Sequence, residues 1–307
     1  MEIWQLRTFQ MVAETLNFTK AAARLKITQS AVSHQMKALE AELGESLFLR
    51  ARRGVKLSPA GQAMREHAAR VLDEVENLRA AVSGRQGGPT GRVRAVAATQ
   101  AFAHLFAPLC EEFLQAYPGI AVSFVTTTST AQTLASVQSG DAHVGIASVP
   151  IFSPALSVTD LFSDELLVVV PASHTLAREK IVHAHRLRGE RVILFESGSS
   201  IRQATDVFFK RARLEPPVAL ESNDTSFVKL MVEHGQGLSF LPPWAVREEV
   251  LSGRLAILRV EGHRMPRKIA MVSQARLQSA PLRAFLDFIL ERRQQLRWMA
   301  EGHMPVR

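Results

Sequence analysis

The chain has 307 residues, 47% of them apolar and 21% charged, with a formal net charge of +8. That length predicts about two or three domains of ordinary size, and the apolar content supports packed cores and excludes wholesale disorder. An apolar run of roughly 18 residues is lacking, so no transmembrane helix is expected, and the basic balance favours polyanionic partners, whose counterions are released on neutralisation.

The chain opens on Met1-Glu2-Ile3-Trp4-Gln5-Leu6-Arg7. These residues lack the basic start, apolar stretch and small-residue cleavage site of a signal peptide, so a cytoplasmic protein is expected. Leu6, Phe9, Ala13 and Leu16 recur at helical spacing, and Asn17-Phe18-Thr19 breaks that helix and can cap the next. A second short helix is predicted over 20–25 and a third from Thr28 to Leu43, with Gly44 as its stop. Residues 46–50 and 55–57 then read as two strands around a turn at 51–54.

Ser58-Pro59 begins a long helix, serine at the N-cap and proline at the first helical position. Met64, Ala68, Val71, Val75, Leu78 and Val82 follow the spacing 4, 3, 4, 3, 4, a heptad seam suited to pairing with a second copy. Packing on its own domain is the alternative. Ser83 to Gly91 holds four glycines and a proline, a hinge composition. From residue 92 strand-like runs (93–98, 120–126, 144–148, 166–170, 192–195, 218–221, 238–241, 256–260 and 269–272) alternate with helical stretches around 100–117, 129–138, 199–212, 225–234 and 280–297. This alternation predicts an α/β domain with largely parallel sheets, large enough for two lobes.

The third helix carries the clearest chemistry. Val32, Met36, Leu39 and Leu43 are expected to face inward, with Leu25 and Ile27 burying the turn before it. Thr28, Gln29, Ser30, Ser33, His34 and Lys37 then fall on the outer face near the helix start as candidate DNA contacts. An apolar back and a front of donors and acceptors suit the major groove of DNA, where glutamine pairs with adenine edges and cations reach guanine or phosphate. Arg50, Arg52, Arg53 and Lys56 place four cations in seven residues around Gly54, a hairpin tip suited to the phosphate backbone or minor groove.

The stretches Asn17-Phe18-Thr19-Lys20-Ala21-Ala22-Ala23-Arg24-Leu25, Thr28 to Glu40 (with Thr28 and Gln29 at its start), Leu43-Gly44, Leu47-Phe48-Leu49-Arg50 and Leu57-Ser58-Pro59-Ala60-Gly61 together resemble the LysR-type family of bacterial transcription regulators. The resemblance extends over the whole chain. It implies an α/β protein with a winged helix-turn-helix over 1–58, a linker helix and hinge over 59–90 and a two-lobed effector domain over 91–307, similar to periplasmic binding proteins. Lobe I is expected over about 91–162 plus 268–307 and lobe II over about 163–267. The resemblance also implies a homodimer or homotetramer on promoter DNA, retuned by a small co-inducer; RNA polymerase is a further candidate partner.

In this family the ligand sits between the lobes, at strand ends and helix starts. The matching positions here are Thr99, Gln100 and Ala101; Thr127 and Thr128; Ser197, Ser199 and Ser200; and Thr225. Hydroxyl-rich helix starts offer backbone N–H groups and a favourable dipole to an anion, although each such residue also suits plain capping. Arg202 suits either a ligand carboxylate or Asp206 at i,i+4. Some relatives sense peroxide through a cysteine pair; the single Cys110 excludes an intrachain disulfide here and reads as a packing residue beside Leu109, Phe113 and Leu114.

A catalytic reading finds little footing. A Gly-x-Ser-x-Gly elbow and a P-loop are missing, Gly235-Gln236-Gly237 lacks a third glycine, and His183 and His185 lie two apart without an acidic helix motif. No enzyme activity, cofactor or metal is expected.

Overall fold

The computed structural model describes residues 1–50, 54–82, 88–98, 105–275 and 279–301. The chain folds as two compact units, Met1–Gly87 and Gly88–Arg307. Residues 83–87 of the glycine-rich stretch lie outside the described residues.

The first unit begins with three helices, α1 (Ile3–Thr15), α2 (Phe18–Leu25) and α3 (Gln29–Leu43). Asn17 caps α2 by accepting from the Lys20 amide at 2.9 Å, so that helix starts at Phe18 rather than at Lys20 as expected. Thr28 caps α3 by accepting from the Ala31 amide at 3.2 Å, and Gly44 ends it with φ +71°. A hairpin follows, β1 (Phe48–Arg50) on β2 (Val55–Leu57), paired from Phe48↔Leu57 to Arg50↔Val55. The Glu40 carboxylate ties it to α3 by accepting from the amides of Leu47 (2.7 Å) and Phe48 (3.2 Å). Phe9, Val32, Met36, Leu39 and Leu47 fill the core, and the Phe48 ring sits 5.4 Å from Phe9 and 5.7 Å from Phe18.

The long helix α4 (Pro59–Val82) divides the heptad seam. Met64 and Ala68, with Leu72, pack on the unit's own core, whereas Val71, Leu78 and Val82 stay exposed. Two glycines set close approaches here. Gly54 has φ +86°, and a Cβ on it would lie 2.6 Å from the Leu16 carbonyl oxygen; a Cβ on Gly61 would lie 2.1 Å from that of Leu47.

The second unit runs β3 (Gly91–Ala98), α5 (Ala107–Ala116), β4 (Ile120–Thr127), α6 (Thr130–Ser139), β5 (Val144–Ser148), β6 (Leu156–Glu165), β7 (Leu167–Pro171), β8 (Ile181–Val182), β9 (Val192–Leu194), α7 (Ser200–Ala212), β10 (Val218–Glu221), α8 (Thr225–Glu233), β11 (Ser239–Leu241), α9 (Arg247–Leu251), β12 (Leu255–Val260), β13 (Pro266–Gln274), α10 (Ala280–Glu291) and α11 (Arg293–Ala300). One lobe is a five-stranded sheet in the order β4-β3-β5-β13-β6; the other holds a four-stranded sheet, β11-β7-β12-β8, and the pair β10-β9. Each lobe has its own core, one around Phe106, Phe113, Phe285 and Phe288 and one around Phe195, Phe208, Phe209 and Phe240.

The expectation of largely parallel sheets is corrected. Strand β3 pairs in parallel with β4 and β5, but β13 runs antiparallel to β5 and β6, and β7 antiparallel to β11 and β12. The chain leaves the first lobe along β6 and returns along β13, so the returning strand enters that sheet in the opposite sense. The single helix expected around 280–297 is two, broken at Arg292, whose guanidinium donates to Phe288 O, lies over the Phe288 ring and pairs with Glu112 at 2.7 Å.

Candidate functional site

Two sites emerge, one in each unit. On α3, Val32, Met36 and Leu39 are buried, and Gln29, Ser30, His34 and Lys37 are exposed with Ser33 half-buried beside them. The helix therefore presents a polar front along its first turns. Gln29 Nε2 donates to Ser33 Oγ at 2.9 Å, and the Thr28 and Ser30 hydroxyls pair at 2.9 Å. These bonds hold the front in register, and base edges can exchange with them. Two expectations about its back are corrected. Leu43 is 42% exposed, because α3 outruns the core by its last turn, and Ile27 is 39% exposed, so the turn rests on the half-buried Leu25.

The hairpin is anchored on the unit's first two helices, α1 and α2. The Val55 amide donates to the Leu16 carbonyl at 3.2 Å, which fastens the strand to the turn between α1 and α2. Arg50 and Lys56 are exposed on it. Arg52 and Arg53 lie outside the described residues.

The second site is a cleft between the two lobes of the second unit. Thr130, Ser200 and Thr225 line it, together with Ser148, Trp244 and Arg267. The three hydroxyl residues are the first helical residues of α6, α7 and α8. Their N-caps Ser129, Ser199 and Asp224 accept from Gln132, Arg202, Ser226 and Phe227 amides. The amides of the first helical residues have no partner within their helices, so three helix starts aim N–H groups and positive dipole ends at one space. The volume of that space, among the described residues, is about 40 Å³, room for roughly two or three waters.

Arg267 is the fixed cation of the cleft. It is 9% exposed, its Nε and Nη2 grip Asp164 in a two-pronged pair, and its Nη1 donates to Ser200 Oγ at 3.2 Å. Trp244 Nε1 donates to the same Asp164 carboxylate at 3.1 Å. The network spans both lobes: Asp164 and Arg267 come from the crossing strands β6 and β13, Ser200 from α7. Sequence reasoning missed Arg267, Asp164 and Trp244, which are far apart in the chain and match no local pattern.

The remaining expected positions fall in several places. Ser200 and Thr225 line the cleft. Ser199 is buried as the cap of α7, and Ser197 is exposed. Thr127 stands behind the wall, its hydroxyl paired with Thr133 at 2.6 Å, and Thr128 bonds Gln132 at 3.0 Å. Arg202 is engaged by Asp206 (2.9 Å), Glu221 (2.8 Å) and Phe195 O (2.9 Å), the structural arrangement of the two considered. Thr99, Gln100 and Ala101 lie outside the described residues.

Cys110 is half-buried against the first lobe's core, and burial pushes its thiol up to about 11. Among the described residues no cluster of three His, Cys, Asp or Glu is placed to hold a metal ion; His183 faces Glu261 at 2.6 Å and stacks on His185. No helix among them is long and apolar enough to cross a membrane.

Comparison with known proteins gives matches over both units. Residues 3–62 match the family of bacterial regulatory helix-turn-helix proteins of the lysR type, and residues 86–294 match the LysR substrate binding domain. The HTH-type transcriptional activator CmpR of Synechocystis is 31% identical over 93% of this chain and 93% of its own length. Full-length CbnR, solved in complex with its target DNA, is 26% identical and superposes with a TM-score of 0.70 over 95% of this chain and 99% of that one. The CcmR regulatory domain of Synechocystis, solved in complex with 2-PG, is 27% identical with a TM-score of 0.60 over 65% of this chain and 96% of its own.

Proposed function

The chain belongs to the LysR family of bacterial transcription regulators, and we propose that its promoter contacts run through Gln29, Ser30, Ser33, His34 and Lys37 while a small anion in the interlobe cleft sets its activity. As a member of that family it is a DNA-binding regulator whose second unit takes a small-molecule effector. The observation that carries the anion assignment is the meeting of three helix starts with the buried Arg267. The helix starts favour negative charge, and Arg267, paired with Asp164, adds its remaining N–H donors in a cleft of low dielectric. The CcmR regulatory domain holding 2-PG supports a small ligand for this type of domain.

Ser200 and Thr225 are assigned direct contacts; Thr127 and Ser199 hold the helix starts in place. Asp164 gives the cleft its set point. It pairs with Arg267, so an entering anion shares that guanidinium and binds through its remaining N–H groups. Binding energy that differs between open and closed lobes then shifts the regulator's conformational balance. Arg50 and Lys56, with Arg52 and Arg53, are assigned to the phosphate backbone. The exposed Val71, Leu78 and Val82 on α4 support pairing of two copies, which brings two reading helices to one site.

Thermal denaturation of the full chain against a panel of small carboxylates and phosphates tests the cleft. A ligand that binds the folded state raises the melting temperature with its concentration. Ser200→Val is expected to abolish that rise for the true effector with little loss of basal stability; a rise undiminished in Ser200→Val for every ligand of the panel removes the cleft assignment.

A further inference from the structure

The first lobe carries a second concave site, which shares Phe162 with the effector cleft. Strand β6 is the edge of its sheet, and its register with β13 slips at one point: Phe162 faces Ile269 and Asp160 faces Ala270, which leaves Leu161 as a bulge. A bulge frees a backbone group from the ladder. Here the Leu161 carbonyl receives Arg293 Nε at 3.1 Å and Arg297 Nε at 3.4 Å, both from α11. Two guanidinium groups four residues apart on one helix repel each other. A single carbonyl tethers both by the Nε side and leaves their Nη groups for other partners.

Beside them lies a groove of about 400 Å³, lined by Arg293, Arg297, Lys268, Ser163, Asp160 and Glu301, with Phe162 as its apolar wall. Among the described residues none of the three cations forms an ion pair, although two carboxylates line the same groove. Three cations against two carboxylates leave one positive charge. That balance suits one anionic group on the arginine pair, with Asp160 and Glu301 accepting from a hydroxyl or ammonium of the same molecule, and it disfavours a polyanion such as nucleic acid.

We propose that this groove is a second ligand site, which takes a compact molecule carrying one phosphate or carboxylate group between Arg293, Arg297 and Lys268. The planar guanidinium fork suits both oxyanions. Phe162 forms part of the wall of the effector cleft as well as of this groove, so a ligand here bears directly on the cleft.

The test is thermal denaturation of the full chain with inorganic phosphate in one arm and acetate in the other, at constant ionic strength. At least one anion is expected to raise the melting temperature of the wild-type chain, and the stronger arm identifies the group the site prefers. Lys268→Gln, an exposed position, and the double variant Arg293→Gln/Arg297→Gln are expected to weaken the apparent affinity at least tenfold. Ser200→Val, which alters the cleft, is expected to keep the groove response. A wild-type response in Lys268→Gln, or no response of the wild-type chain to either anion, overturns the proposal. A response lost in Ser200→Val and kept in the arginine variants also overturns it, and leaves the cleft assignment standing.

Discussion

Single residues decide the chemistry of both units. Cys110 is held as a thiol: burial lifts it from its ordinary value near 9 to about 11, so the thiolate fraction near neutral pH falls about a hundredfold. Its reaction with a thiol reagent at pH 8 is expected to be slower than that of free cysteine by about that factor, and to accelerate as pH approaches 11; ordinary reactivity at pH 8 contradicts the burial. The same shift favours the folded chain below about pH 9, where the thiol is protonated in both states, and this contribution is lost as pH rises to about 11. Gly61 makes a second prediction at this scale. Its missing side chain lets α4 start against the Leu47 carbonyl. Gly61→Ala forces that backbone apart and is expected to cost the first unit about 1–3 kcal/mol in denaturant unfolding; an unchanged midpoint refutes the close approach. Individual residues also show what the sequence does not reveal. Asn17, Thr28 and Gly44 act on their own neighbours three or fewer residues away, so their capping roles are legible locally. Arg267 and Asp164 lie 103 positions apart, and nothing near either one signals that they meet in the cleft.

At the scale of elements, periodicity carried far but stopped where tertiary contacts take over. The helix-turn-helix is legible because each of its helices has a local start and stop. Strand β6 reads as a loop because of Ser157, Thr159, Asp160, Ser163 and Asp164; the exposed side of an edge strand tolerates Asp160 and Ser163, and Asp164 is buried against Arg267. The break at Arg292 was missed because Glu291, Arg292, Arg293 and Gln294 all favour helix, and only the contacts of Arg292 with Phe288 and Glu112 end α10 there. Helix α4 shows both sides of this. The heptad spacing is real, yet its first half serves its own unit, so the surface proposed for pairing narrows to the second half. Leu78 is 62% exposed and Val82 77%. Leu78→Asp places a charge in that surface and is expected to shift the chain towards monomer in light scattering, with its far-ultraviolet circular dichroism unchanged. An unaltered oligomeric mass moves the pairing surface elsewhere.

For the molecule as a whole, the two units divide the work of a regulator. The first offers a polar helix front backed by an apolar core, and a hairpin on which Arg50 and Lys56 are exposed. The second offers a narrow cleft whose positive features are helix dipoles and one buried, already neutralised arginine. Under the proposed assignment, affinity for DNA comes largely from phosphates and sequence choice from the α3 front. Enrichment of a randomised duplex library by the full chain at fixed salt tests this most directly. A motif of two half-sites related by a two-fold axis is expected, with centres separated by about 10 base pairs or a multiple of that, and weakened and relaxed in the His34→Ala and Lys37→Ala variants. Enrichment without any motif, or the same motif at the same strength in both variants, contradicts the proposed assignment.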